Sequence, residues 1–171
     1  MERTIEVLNQ LECEGVFRRY AIGGAVAVLF YAEPVLTYDL DVFVLLASEG
    51  SSGLVDLSPI YRRLAELGHH PDREAVIVAG VPVQVIPAYN ALVEEAVASA
   101  NEVRFGDAPT RVVGYEHLLA IMAQTGRPKD RERLASLLEQ RPPDAARLDS
   151  ILGRYCLADT WQVLVGSRDG S

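Results

Sequence analysis

The stretch YAIGGAVAVLFYAEPVLTYDLDVFVLL, residues 20–46, constrains the fold more than any other part of the chain. In LTYDLDVFVLLA, period-2 alternation puts Asp39, Asp41, Phe43 and Leu45 on one face and Leu40, Val42, Val44 and Leu46 on the other. Apart from the aspartates both faces are apolar, which predicts a central strand, covered on both sides, whose first part reaches an open edge of the core. Carboxylates at i and i+2 of a strand lean to the same side about 6.6 Å apart, so one hard cation can bridge them. The same spacing also suits a strand entrance where two aspartates cap turns or meet solvent. Upstream, Gly23 and Gly24 break a predicted short strand, VFRRYAI, and open a predicted helix, AVAVLFYA. A glycine turn at a helix start presents unblocked N–H groups and a positive dipole end to phosphate oxygens. It serves equally as a tight turn that lets the helix pack closely on the sheet.

The rest of the chain surrounds this strand with mixed structure. Residues 2–14 place Ile5, Leu8 and Leu11 at helical spacing, and Gly15 ends that helix. SEGSSG reads as a loop, and DLSPIYRRLAELGHHP as a helix with Ser58 as N-cap, Pro59 at its first position and Gly68 past its end. EAVIVAGVPVQVIPA reads as two strands joined by a tight Ala79-Gly80 turn. A helix (YNALVEEAVASA), two short strands (EVRFGDAPTRVVG) and another helix (YEHLLAIMAQTG) follow. After Gly126 the segments PKDRERLASLLEQ, PDAARLDSILGRY and LADTWQVLV are all helical. Strict βαβ alternation fails across residues 73–87, so the expectation is an α+β fold with an antiparallel or mixed sheet. The predicted division is an α/β core over residues 1–112, a helical portion over 113–166 packing on it, and a frayed tail at 167–171.

Composition narrows the function classes. The length of 171 residues suits one domain, and 49% hydrophobic with 23% charged residues excludes a disordered tail. A net charge of -8 repels polyanions and argues against non-specific DNA binding. The local cluster Arg127, Lys129, Arg131 and Arg133 nevertheless suits a small anionic ligand at short range. Cys13 and Cys156 lack a CxxC or a neighbouring His at ligand spacing, so they read as two reduced side chains in or near the core. Residues 1–15 carry acidic groups and no uninterrupted apolar run, unlike a signal peptide, and no stretch reaches the ~18 apolar residues of a membrane span, so a cytoplasmic location is expected. His69-His70 reads as a surface loop, His117 as an exposed position beside the apolar face Leu118, Ile121 and Met122, and Trp161 with Leu157, Val163 and Leu164 as the docking face of the last helix. GxSxG, HExxH and Walker patterns do not occur.

Two motifs carry a family resemblance. Ile22-Gly23-Gly24, a short helix and then Thr37-Tyr38-Asp39-Leu40-Asp41-Val42 resemble the opening motif of the nucleotidyltransferase superfamily related to DNA polymerase β. GRPKDRERLASLL resembles the Arg-x-Lys-Asp helix of its AbiEii-type toxin branch and related bacterial proteins; together the likeness spans roughly residues 15–140. The resemblance implies a nucleotidyltransferase-like core with a mixed sheet flanked by helices, and Mg²⁺- or Mn²⁺-dependent transfer of a nucleoside monophosphate from an NTP to a hydroxyl of a protein, RNA or small molecule. In the toxin branch it also implies an antitoxin partner. By the same likeness Gly23, Gly24, Thr37, Arg127 and Lys129 would bind the nucleotide, Asp39 and Asp41 would hold the metal, and Asp130 would orient Lys129 or the acceptor. A third carboxylate serves such sites as base or metal ligand; the matching position in VPVQVIP is Gln84, a neutral amide that takes no proton. Arg133 stands where the toxin branch often carries an acid, and Ala123 where it often carries a lysine. A shifted alignment would offer Asp56, Asp72 or Glu74 as the third acid, and without one the alternative is a catalytically silent nucleotide- or partner-binding module.

Overall fold

The protein is described here by a computed structural model, which covers residues 1–32, 39–47 and 55–166. The expectations for Thr37, the SEGSSG loop and the tail at 167–171 lie outside the described residues. Helix α1 (Glu2–Cys13) leads into strand β1 (Phe17–Ile22), followed by α2 (Gly24–Val28), β2 (Leu40–Leu46) and α3 (Ser58–Glu66). Three strands come next, β3 (Pro71–Asp72), β4 (Ala75–Val78) and β5 (Val81–Pro87), then α4 (Ala91–Ala98), β6 (Asn101–Phe105) and β7 (Ala108–Val112). Helices α5 (Tyr115–Thr125), α6 (Pro128–Gln140), α7 (Ala145–Arg154) and α8 (Ala158–Gly166) complete the order.

The described strands form one seven-stranded mixed sheet in the order β3-β4-β5-β2-β1-β7-β6. The apolar strand with the aspartates, β2, lies inside it, antiparallel to β1 and parallel to β5. Leu40, Val42 and Val44 on one face are wholly excluded from solvent and Phe43 on the other is buried, which explains why that run is apolar on both faces. The Ala79-Gly80 turn joins β4 to β5 with both residues at positive φ, the backbone a two-residue hairpin needs. Neighbouring residues of β1 identify the two layers. Tyr20 sends its hydroxyl to Asn9 of α1 at 2.8 Å, while Arg19 donates from Nε to the Val97 carbonyl of α4 at 3.2 Å. Since adjacent strand residues point oppositely, α1 and α4 cover opposite faces. Asp41 and Phe43 alternate with Leu45, whose partner is Arg19, and so stand on the α4 face.

Helices α5 and α6 form a hairpin on that face, pinned at both ends. The Tyr115 hydroxyl donates to the carbonyls of Leu137 (3.1 Å) and Arg141 (2.7 Å), and the Thr125 hydroxyl donates to Asp130 Oδ2 at 2.8 Å. Gly126, at φ 59, ends α5 in the left-handed conformation, and Pro128 starts α6 two residues later. Leu134 and Leu137 then bury α6 against the core, worth about 2 kcal/mol each.

Several local expectations are corrected. The helix after the glycines is regular only to Val28 and continues to Ala32 as turns, with the β-branched Val26 and Val28 disfavouring a longer helix. Ser58 is the first helical residue of α3 rather than its cap; Leu57 takes the cap position, and the Asp56 carboxylate accepts the Ser58 N–H at 2.9 Å. Cys13 and Cys156 are exposed free thiols, because each lies at a helix end where the chain turns outward. His117 is buried, only 3% exposed, because α4 crosses that side of α5 and supplies Glu95. On α8 no residue is buried: Trp161 and Leu164 touch the core from its edge, while Val163 is 68% exposed.

Candidate active site

The cleft lies where β1 ends and β2 begins. Gly23 donates its N–H to the Asp41 carbonyl at 2.9 Å, so this glycine spends its donor inside the sheet. What the pair supplies is room. A Cβ on Gly24 would stand 1.7 Å from Asp41 Oδ2, and one on Gly23 would stand 2.2 Å from the Phe43 ring. Gly24 also has φ +55, a conformation that costs an L side chain about 1–2 kcal/mol. The Asp41 carboxylate therefore rests directly on bare backbone.

Across the ladder Asp41 pairs with Gln84 of β5, so the carboxylate and the amide rise side by side from one face. The hairpin of α5 and α6 roofs the space above them. Leu118, Ile121 and Met122 make the apolar wall, and Thr125, Arg127, Lys129, Asp130 and Arg133 line the polar end together with Asp41 and Gln84. Lys129 and Arg133 share a helix face by their i, i+4 spacing.

Burial raises the Asp41 pKa above the ordinary aspartate value; the positive charges of Lys129, Arg133 and Arg127 oppose it, and Asp39 adds to it. Asp41 is thus a part-buried carboxylate facing three cations. Asp39 is exposed, at the strand entrance next to β2. Asp130 is the inverse case: its side chain is 3% exposed, and Oδ2 accepts from Thr125 and from Arg127 Nε at 2.5 Å. Arg133 Nη1 lies 3.9 Å from its other oxygen. Asp130 therefore braces Arg127 and the α5–α6 elbow, while Lys129 projects into solvent at the cleft mouth.

The alternative acids stand elsewhere. Asp72 lies on edge strand β3, Glu74 in the turn after it, and Asp56 accepts the Ser58 N–H beside Leu46 and Ala47, at the far end of β2. Among the described residues no group of three or more His, Cys, Asp or Glu side chains could hold a metal ion together. Asp41 and the Gln84 amide oxygen line the cleft, while Asp39 is outside that lining and adds its negative charge from the strand entrance; two carboxylates and an amide suit one hard divalent cation and lack the charge for two. The basic cluster expected to suit a small anionic ligand divides: Arg127, Lys129 and Arg133 line the cleft, whereas Arg131 donates from Nε to the Gly126 carbonyl at 2.9 Å and does not.

The chain matches no protein-family model and no curated protein by sequence. It is similar in structure to ANT(2'')-Ia in complex with adenylyl-2''-tobramycin, with TM-score 0.52 and 14% identity over 88% of this chain and 95% of that one. A solution structure of the antibiotic-resistance factor ANT(2'')-Ia gives TM-score 0.50 and 14% identity over 100% of both chains. An antigenic nucleotidyltransferase-like protein from Paracoccidioides brasiliensis gives TM-score 0.53 and 13% identity over 89% of this chain and 84% of that one. At such identities the likeness is one of fold: a mixed sheet flanked by helices, arranged as in nucleotidyltransferases.

Proposed function

We propose, from the nucleotidyltransferase-like fold it shares with these proteins, that the chain binds an NTP in this cleft and transfers a nucleoside monophosphate to a hydroxyl. The observation that carries the reading is the convergence of Asp41, seated on Gly24, with Lys129, Arg127 and Arg133 from a helix more than eighty residues later. A pocket that collects three cations on a chain of net charge -8 suits a small polyanion, and the adjacent aspartates suit the cation that accompanies it.

Asp39 and Asp41 would hold a divalent cation, which would supply Lewis-acid charge at the phosphates. The protein groups do the rest. The acceptor oxygen bonds to the α-phosphorus, the bond from that phosphorus to the β-phosphate oxygen breaks, and pyrophosphate leaves against Lys129 and Arg127. Asp130 keeps Arg127 aimed by a part-buried charge-assisted bond. Gln84 takes no proton and Asp130 is committed to two donors, which leaves Asp39 and Asp41 as the carboxylates at this end of β2 that can take the hydroxyl proton.

We favour a small-molecule hydroxyl as acceptor because one neighbour in fold is recorded with an adenylylated antibiotic, adenylyl-2''-tobramycin. A protein or RNA acceptor, with an antitoxin partner as the AbiEii resemblance implies, is the other assignment. Incubation with each of four α-labelled NTPs, aminoglycosides and cell lysate separates them by whether label enters the small-molecule, RNA or protein fraction. Asp41→Asn is expected to abolish transfer and Mg²⁺-dependent NTP binding with an unchanged circular dichroism spectrum; wild-type nucleotide binding in that variant would sink the reading. Gln84 beside Asp41 favours a second reading, a silent nucleotide- or partner-binding module, which predicts NTP binding without label in any fraction.

A further inference from the structure

The cleft has a neutral amide where a third carboxylate would stand, and a guanidinium faces it. Gln84 and Asp41 are direct ladder partners, so whatever binds between them meets one anionic side chain and one neutral one. Arg133 lines the same cleft from α6, with only 21% of its side chain exposed. Its ion pair is loose: 3.9 Å from Asp130 Oδ1 is beyond hydrogen-bond reach, and Asp130 already accepts from Thr125 and Arg127 on its other oxygen. Arg133 also faces Asp41 across the cleft, close enough for its charge to favour the ionised carboxylate.

A largely buried guanidinium with a distant partner costs desolvation energy that the observed contacts return only in part. A phosphate offers the planar, two-point acceptor that an arginine fork matches and that a lysine does not. The charge arithmetic agrees. Replacing a carboxylate by an amide removes one negative charge from the site, and an arginine adds one positive charge. Those are the two changes that let a site dispense with a divalent cation while still neutralising a triphosphate.

We infer that Arg133 replaces a second divalent cation: the cleft takes the NTP on one cation held by Asp39 and Asp41, with the Arg133 guanidinium bound to phosphate oxygens on the Gln84 side. This rests on the reading of the cleft as an NTP site and specifies its ion requirement.

The test counts ions rather than turnover. Mn²⁺ bound per chain is measured by electron paramagnetic resonance at saturating α,β-methylene ATP, GTP, CTP or UTP, alongside the affinity for that analogue. The expected wild-type stoichiometry is one Mn²⁺. Arg133→Gln should keep that stoichiometry and weaken analogue binding about tenfold, the loss of one strong charge-assisted contact. Arg133→Lys should recover part of it, which a merely structural role for the side chain would not produce selectively for nucleotide. Gln84→Glu combined with Arg133→Gln should admit a second Mn²⁺. Two Mn²⁺ on the wild type, or unchanged analogue affinity in Arg133→Gln, overturns the inference while leaving an NTP site in place. Failure of the wild type to bind any analogue overturns the functional reading and this inference with it.

Discussion

Asp41 rests against the bare backbone of Gly24, and the two requirements this places on the glycine can be separated. Gly15 and Gly24 both have positive φ, +75 and +55, but a Cβ at Gly15 meets nothing within 4 Å, whereas at Gly24 it meets Asp41 Oδ2 at 1.7 Å. Gly15→Ala should therefore cost about 1–2 kcal/mol in urea denaturation, the backbone penalty alone, and leave nucleotide affinity unchanged. Gly24→Ala should cost more and displace the carboxylate, so that nucleotide titration shows a loss well beyond the stability change. Equal effects at the two glycines would mean that the close approach to Asp41 is unimportant. Asp41 itself is a compromise of the unliganded fold. Its folded pKa lies above the unfolded value, so its favourable contribution belongs to the protonated form and is lost as pH rises through the folded pKa. Asp41→Asn should accordingly stabilise the unliganded protein at pH 7 by about 0.5–2 kcal/mol, as relief of functional-site compromises commonly does. That gain should vanish below about pH 4.

At the level of elements, two carboxylates hold the helical layer in register. Asp130 ties the α5–α6 elbow, and because it is buried and doubly bonded, Asp130→Asn should cost about 1–3 kcal/mol by leaving a donor unmatched. Thermal denaturation measures that cost, and weaker nucleotide binding should accompany it as Arg127 loses its brace. Glu95 does the same work on the other side of α5. It accepts from His117 Nε2 at 2.9 Å, Arg154 Nη2 at 2.5 Å and the Tyr155 hydroxyl at 2.5 Å, joining α4 to α5 and α7. An ionised carboxylate only accepts, so Nε2 of His117 carries its proton. Burial alone would raise the Glu95 pKa, but the bonds from Tyr155, His117 and Arg154 prevail and bring it down from 4.5 to about 2. A depressed folded pKa means that this stability is present above pH 4.5 and is lost as pH falls toward 2. Urea midpoints at pH 7, 5 and 3 should fall more steeply for wild type than for Glu95→Gln; parallel curves would remove Glu95 from the account.

Across the whole molecule, charge and topology act together. A net charge of -8 makes the long-range field repulsive to polyanions, while Arg127, Lys129 and Arg133 create an attractive region only a few ångströms across. Nucleotide affinity should therefore weaken between 20 and 200 mM salt, and labelled duplex DNA should not bind at either concentration. DNA binding at a comparable affinity would contradict this division of the surface charge. The described helices include none long and apolar enough to cross a membrane.

Much of this architecture was legible from local signals. The apolar run Leu40–Leu46 predicted a central strand, Ala79-Gly80 predicted a hairpin, and Arg127-Pro128 after Gly126 predicted the start of a helix; each depends on residues adjacent in the chain, and each is present. Period and turn chemistry act over a few residues, so the sequence by itself determined most of the strands and helices. Only the tertiary structure decided what those segments meet. The burial of His117 depends on Glu95 in another helix, and the place of Arg133 depends on a hairpin pinned by Tyr115 and Thr125. The parallel register sets Gln84 beside Asp41 and leaves Asp72 at the sheet edge. These are contacts between residues far apart in the chain, and only the packing of separate elements brings them within reach.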